Sequence, residues 1–268
     1  MNILSLNKKV YKSFKGKKIV IGTSLFGHPI LCYGVIKTPY PKAIIQASIH
    51  AREYITGYLT LKLMQDFYNA GKEGSIYFIP VLNPDGVMIA LKKDKLYKAN
   101  GRGVDLNVNF DARWSTGSQN VKIASSQNYI GEKPFSEPES KAIRDFTLKI
   151  KPDYTISYHS KGQEIYYEFF QKDIVKDLAF ARPISSITGY QIRKTPNSAG
   201  GYKDWCIQEL KIPALTIEVG DDKLLHPIGK KNLTKIYKQN KRVIQVANAF
   251  FVEKKWKKNL WTLQLSKH

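Results

Sequence analysis

Cysteine is scarce. Cys32 and Cys206 are the only two and lie far apart, so no disulfide framework is read, and both are expected as small buried apolar residues. No apolar run approaches the length of a membrane span. The lysine-rich start is not followed by an apolar segment, so no signal peptide is read and the cytoplasm is favoured. Acids are few, with 22 Asp and Glu against 43 Lys and Arg, a formal net charge of +21. That excess favours an anionic partner such as nucleic acid, anionic lipid or an acidic polymer. No RNA- or DNA-binding motif accompanies the charge, so nucleic acid is set aside. Internal repeats and a clean domain boundary are also missing. Nothing in the sequence sets an oligomeric state.

What is present is an alternation of strand and helix patterns. Strands are expected at 18–22 and 30–36 around the Phe26-Gly27-His28-Pro29 turn, then at 43–49, 75–82, 153–158, 164–170 and 213–219. Helices are expected at 53–69, from Ser136 as cap to Ile150, at 172–188, up to about Leu210, and at 229–252. Asn83-Pro84-Asp85-Gly86 reads as a turn. The stretch 86–135 reads as a long irregular loop, of the length that is usually functional. Residues 1–16 form a lead-in, and 254–268 a basic tail with Trp256 and Trp261. The chain is therefore expected to be a single α/β domain over 1–268, with a central mixed, largely parallel sheet flanked by helices.

The chemistry centres on Ile49-His50-Ala51-Arg52-Glu53-Tyr54. It falls where an apolar strand ends and a helix begins, a common site position in α/β folds. An imidazole and a carboxylate three positions apart suit zinc, and catalytic zinc takes three protein ligands and leaves a position open. Of the five histidines, His159 stands at the end of a buried strand and is the best third ligand. His28 sits in a hairpin turn and His226 before a proline, both more typical of surface positions. Glu218 ends the last predicted strand and is the natural proton handler for a metal-activated water. Asp105 is a candidate to hold the far nitrogen of a zinc histidine.

His50-Ala51-Arg52-Glu53, Gly103-Val104-Asp105-Leu106-Asn107, Tyr158-His159-Ser160 and Thr216-Ile217-Glu218 occur in an order and spacing that resembles the zinc carboxypeptidase family, over about residues 17–250. The resemblance implies one Zn2+ per chain held by His50, Glu53 and His159. It implies Glu218 as general base and acid, Asp105 orienting His50, and a cation stabilising the oxyanion. Lys98 falls where that family usually has arginine, and Arg102 is near enough to substitute.

The chain departs from that pattern on the substrate side. Carboxypeptidases pair asparagine with arginine to grip a terminal carboxylate, whereas here Asn107 is followed by Val108. No tyrosine stands at Thr195-Pro196, where the family's closing tyrosine is expected; Tyr202 lies a few residues on. Lys203 occupies the position that reads the group after the cut and suits an acidic one. Arg113 is a candidate replacement for the missing carboxylate grip. These departures resemble the bacterial branch that cuts γ-D-glutamyl bonds to diaminopimelate in murein peptides, and an anionic wall polymer would suit the basic surface. The spore or cell wall, by an unrecognised export route, is then the alternative compartment. Two other functions are kept open. One is a metallocarboxypeptidase releasing acidic C-terminal residues, and the other an inactive module that binds an anionic polymer.

Overall fold

A computed structural model describes residues 1–195 and 197–265, with side chains described up to residue 255. Pro196 and the side chains of Trp256 and Trp261 lie outside the described residues. In chain order come α1 (Ile3–Ser13), β1 (Lys17–Thr23), β2 (Pro29–Ile36), β3 (Lys42–Ala47), α2 (Ile55–Ala70), β4 (Ser75–Ile79) and α3 (Pro84–Lys92). Then follow α4 (Pro138–Ile150), β5 (Tyr154–His159), β6 (Glu164–Tyr166), α5 (Val175–Thr188) and β7 (Gln191–Arg193). The chain continues through α6 (Tyr202–Gln208), β8 (Ala214–Glu218), α7 (Leu233–Asn240) and α8 (Val243–Leu265).

The eight strands form one mixed sheet in the order β1-β2-β4-β3-β5-β8-β6-β7. Its centre is parallel, β4 with β3, β3 with β5 and β5 with β8, and antiparallel strands add to each side. The central strands are buried along nearly their whole length, which is why they read as unbroken apolar runs. Successive residues point to opposite faces and divide the core in two. Ile45, Ile156 and Ile217 face the layer that holds α2, α5, α7 and α8. Ile44, Tyr77 and Ala214 face the layer that holds α4 and α6.

Four sequence readings are corrected. The lead-in is a helix, capped by the Asn2 side chain accepting from the Ser5 N–H and seated by the fully buried Ile3. Asn83-Pro84-Asp85-Gly86 opens α3: the Asn83 side chain accepts from the Gly86 N–H, and Pro84 takes the first helical position, where its missing N–H costs nothing. Helix α4 begins at Pro138, so the residue flanking it is Glu137, and Ser136 donates to the Glu137 carboxylate instead of capping. The expected helix 229–252 is broken at Lys241 and Arg242, between α7 and α8.

The long connection from α3 to α4 has little regular structure, yet buried polar residues fix it. Asn109 donates to the carbonyls of Ile130 and Lys133 and to Ser136 Oγ, while Asn100 donates to Glu137. These bonds satisfy groups that would otherwise be buried without partners.

Candidate metal centre

Strands β3, β5 and β8 are parallel neighbours, and each ends at the same edge of the sheet. Beyond β3 the chain turns at Ser48, whose φ of 53° lies in the left-handed region and whose N–H donates to Thr56 Oγ1. One helical turn over Ala51–Glu53 then brings His50 and Glu53 together. Thr56 Oγ1 donates to the Glu53 carbonyl and fastens that turn to α2. His159 arrives directly as the last residue of β5, opposite Glu218 as the last of β8.

His50, Glu53 and His159 are all buried and offer ligand atoms that lie within 4.8 Å of one another. His50 Nδ1 is 2.8 Å from Glu53 Oε1, and His159 Nδ1 is 3.1 Å from Glu53 Oε2. The two Nδ1 atoms approach to 3.1 Å. With both nitrogens unprotonated, as metal ligands are, they would repel at that distance unless a cation sat between them. His159 Nε2 is buried without a partner. Burial pushes the Glu53 carboxyl up, but the His50 and His159 imidazoles outweigh it and hold Glu53 well below the ordinary carboxylate range. Two imidazole nitrogens and a carboxylate oxygen fit zinc.

The surroundings support this group from behind. Asp105 is fully buried. It places Oδ1 3.3 Å from His50 Nε2 and Oδ2 2.7 Å from Lys98 Nζ. The alignment at His50 Nε2 falls short of a hydrogen bond, so the contact is electrostatic as it stands. Burial would raise the Asp105 carboxyl, but the charges of Lys98 and His50 depress it strongly. Burial lowers His50, yet Glu53 and Asp105 leave it raised overall.

Glu218 keeps some exposure, while its Oε2 is buried without a partner. Burial pushes its carboxyl up to about 8; His159 and Lys98 oppose that rise, and Glu53 and Glu164 add to it. A carboxyl tuned toward neutrality beside a candidate metal group is suited to proton transfer.

The remaining expected site residues divide. Lys98 lies against Asp105 and also donates to Asn128, whereas Arg102 turns to Glu137 at 3.0 Å and is half-exposed. Asn107 spends its side-chain oxygen on the Tyr202 N–H. Tyr202 is buried completely, and its hydroxyl meets Thr147 Oγ1 at 2.8 Å. This places Tyr202 in the core with Phe110 and Trp205, not at the cleft. Lys203 is buried and donates to Asp204 and to the Glu168 carbonyl, both at 2.6 Å, so its charge already has a partner. Arg113 is exposed and stacks 3.9 Å above the Phe170 ring. Sequence reasoning assigned no role to Arg52 or Lys161 and put His226 on the surface. The structure leaves His226 half-buried, within reach of the charges of Glu53, Arg52 and Lys161.

The sequence model of the zinc carboxypeptidases matches residues 9–243. A γ-D-glutamyl-L-diamino acid endopeptidase of Lysinibacillus sphaericus is 28% identical over 241 residues, which is 73% of this chain and 61% of that relative. This chain thus spans under two thirds of that relative's length. Bovine thrombin-activatable fibrinolysis inhibitor superposes with a TM-score of 0.84 at 24% identity, covering 95% of this chain and 98% of the other. The murein-tripeptide amidase of Escherichia coli O157 superposes with a TM-score of 0.64 at 20% identity, covering 90% and 94%. The two superpositions establish the fold.

Proposed function

Because the chain belongs to the zinc carboxypeptidase family, we propose that it is a zinc peptidase cutting the amide between γ-D-glutamate and diaminopimelate, or a similar diamino acid, in murein peptides. The observation that carries the peptidase reading is the buried His50, Glu53 and His159 group with Glu218 across from it on the adjoining strand. The substrate reading is supported by the γ-D-glutamyl specificity in the name of the Lysinibacillus relative and by Val108, which offers no grip for a terminal carboxylate.

His50 and His159 would hold the zinc through imidazole nitrogens and Glu53 through its carboxylate. When bound, zinc supplies Lewis acidity toward the scissile carbonyl and lowers the pKa of the attacking water. Glu218 takes a proton from that water and returns it to the leaving amine. Lys98 offers a cation for charge developing on the carbonyl oxygen; Arg102, paired to Glu137, is the weaker candidate. Asp105 fixes the orientation of His50 and holds Lys98 in place.

Mass spectrometry of muropeptides incubated with the zinc-loaded protein tests this. Release of diaminopimelate-containing fragments is expected, and Glu218→Gln should abolish it. Intact muropeptides, together with cleavage of blocked dipeptides ending in glutamate, would favour a carboxypeptidase with acidic preference. The Lys203 ammonium already engaged by Asp204 weighs against that second reading.

The exposed Lys231, Lys235, Lys238, Lys241 and Arg242 support contact with an anionic wall polymer. Such binding should weaken steeply with added salt. The proposed place of action is wherever murein peptides occur, cytoplasm or wall, and cell fractionation decides between them.

A further inference from the structure

The long connection between α3 and α4 folds back onto its own start at residues 126–129. The Ser126 carbonyl accepts from the N–H groups of both Lys98 and Ala99, at 2.9 and 3.0 Å. The Tyr129 carbonyl accepts from the Asp105 N–H at 2.8 Å. This short segment is thus bonded to the stretch that supplies both Lys98 and Asp105. The Lys98 carbonyl in turn accepts from the Ala51 N–H at 3.0 Å, which ties Lys98 to the turn that carries His50 and Glu53.

Asn128 stands at the middle of this seam. Residues 121–127 are exposed, and the chain turns inward at Asn128, whose φ of 63° lies in the left-handed region. Asparagine is among the few residues with a Cβ that adopt that conformation readily. The Asn128 N–H donates to Asp105 Oδ2 at 3.3 Å, and its side-chain oxygen accepts from Lys98 Nζ at 3.2 Å. Its carbonyl accepts from the Val121 N–H at 3.0 Å, which anchors the turn from outside. Lys98 Nζ lies 2.7 Å from the same Asp105 Oδ2. Lys98, Asp105 and Asn128 therefore touch one another in a closed ring, with Asp105 Oδ1 turned to His50.

The ring constrains an otherwise loose group. An ammonium carries three N–H donors on a flexible stem. Paired to Asp105 alone, it could swing about a single carboxylate oxygen. Asn128 Oδ1 supplies a second contact from another direction, so both the position and the rotation of the ammonium are set. No further acceptor meets Lys98 Nζ among the described residues, and its side chain keeps 17% exposure. The neutrality of Asn128 matters as well. A second carboxylate there would hold Lys98 equally but cancel the charge that a developing oxyanion needs, whereas an amide oxygen holds it and leaves the charge.

We propose that Asn128 is a positioning residue for Lys98, a neutral acceptor that fixes the ammonium against Asp105 and leaves its remaining N–H for the oxygen on which charge develops. Asn128 acts through Lys98 and does not touch the reacting atoms itself. The inference rests on the peptidase reading above, in which Lys98 is the oxyanion cation.

Asn128→Gly tests this cleanly, because glycine keeps the left-handed turn and the N–H to Asp105 and removes the side-chain oxygen. With L-Ala-γ-D-Glu-diaminopimelate and the zinc-loaded protein, kcat should fall about 10-fold, the lower end of what a hydrogen bond to a charged group contributes. KM should hardly move, since the bond matters only once charge has developed. In the Lys98→Met background the same substitution should cost nothing further, and an equal loss in both backgrounds would overturn the proposal. A second readout needs no substrate. Exchange of the Lys98 ammonium protons with water is followed by 15N NMR, with Lys98→Met identifying the signal. Exchange should quicken several-fold in Asn128→Gly, and unchanged exchange would overturn the proposal whatever the kinetics show. If no muropeptide is cut by the unsubstituted protein, the peptidase reading fails, and the exchange measurement alone then decides whether Asn128 positions Lys98.

Discussion

Asp105 faces two groups of the candidate site at once. One of its oxygens lies against His50 and the other holds Lys98, so the carboxylate proposed to orient His50 also positions the candidate oxyanion cation. Replacing Asp105 with Asn removes the charge and keeps the shape. Zinc affinity, read by competition with a chromophoric chelator, is expected to fall about 10- to 100-fold; unchanged affinity would remove Asp105 from the metal's support. Glu218 invites a different measurement, on the metal-free protein. Its folded carboxyl titrates at about 8, above the ordinary value of about 4.3. Between those values the folded chain holds a proton that the unfolded chain has released. Stability is therefore greatest below the ordinary value and falls as pH rises toward 8, at about 1.4 kcal/mol per pH unit at most. Glu218→Gln removes that slope, so it should raise the unfolding temperature at pH 8 and change it little at pH 4. Equal shifts at both pH values would show that Glu218 is not held protonated by its surroundings.

At the scale of elements, the centre is a consequence of where strands stop. β5 and β8 read from the sequence as apolar runs ending in His159 and Glu218 because both faces of each strand are covered; their termini could be placed to within a residue or two. The turn that follows β3 was less legible, since it depends on Asn83, a residue far along the chain. The Asn83 side chain donates to the carbonyls of Ile49 and Ala99 while its oxygen caps α3. The pattern Asn-Pro-Asp-Gly serves equally for a turn and for a helix start, and only the buried carbonyls waiting for Asn83 decide between them. The loop between α3 and α4 was opaque for the same reason: its shape is set by side-chain bonds such as Asn109 to Ile130, 21 positions apart, which leave no periodic trace. Residues named by motif were brought together, while Tyr202 and Lys203 met partners that the sequence had hidden. Asn83→Ala should therefore cost more than the roughly 1 kcal/mol of a lost cap, because two buried carbonyls lose their donor as well, at about 1–3 kcal/mol each. Urea unfolding measures this. A cost confined to the cap would show that the two carbonyls find other donors. A glycine-dependent constraint lies at Gly200, whose φ is +84° and whose added Cβ would stand 2.8 Å from the Val108 carbonyl oxygen. Gly200→Ala is expected to destabilise the chain and shift the segment that carries Asn107 and Val108.

Across the whole molecule, the metal group ties together parts of the chain that nothing local connects. His50 and His159 are 109 positions apart, one in the turn after β3 and the other at the end of β5. In the unfolded chain they are dispersed, so zinc binds the native state in strong preference and stabilises it by mass action. No helix among the described residues is long and apolar enough to cross a membrane. At free zinc about 1,000-fold above the dissociation constant the gain is about 4 kcal/mol. A chain of this size shifts by about 2–4 °C per kcal/mol, so Tm should rise by roughly 8–16 °C when zinc is added back after chelation. Magnesium should not restore it, because two imidazole nitrogens are poor ligands for so hard a cation. His159→Gln should remove most of the zinc-dependent rise, since it deletes one of the three proposed ligands, while leaving the unfolding temperature of the chelated protein comparatively little changed. If chelation and zinc both leave Tm where it was, the three side chains do not gather a metal, and the peptidase reading loses its foundation.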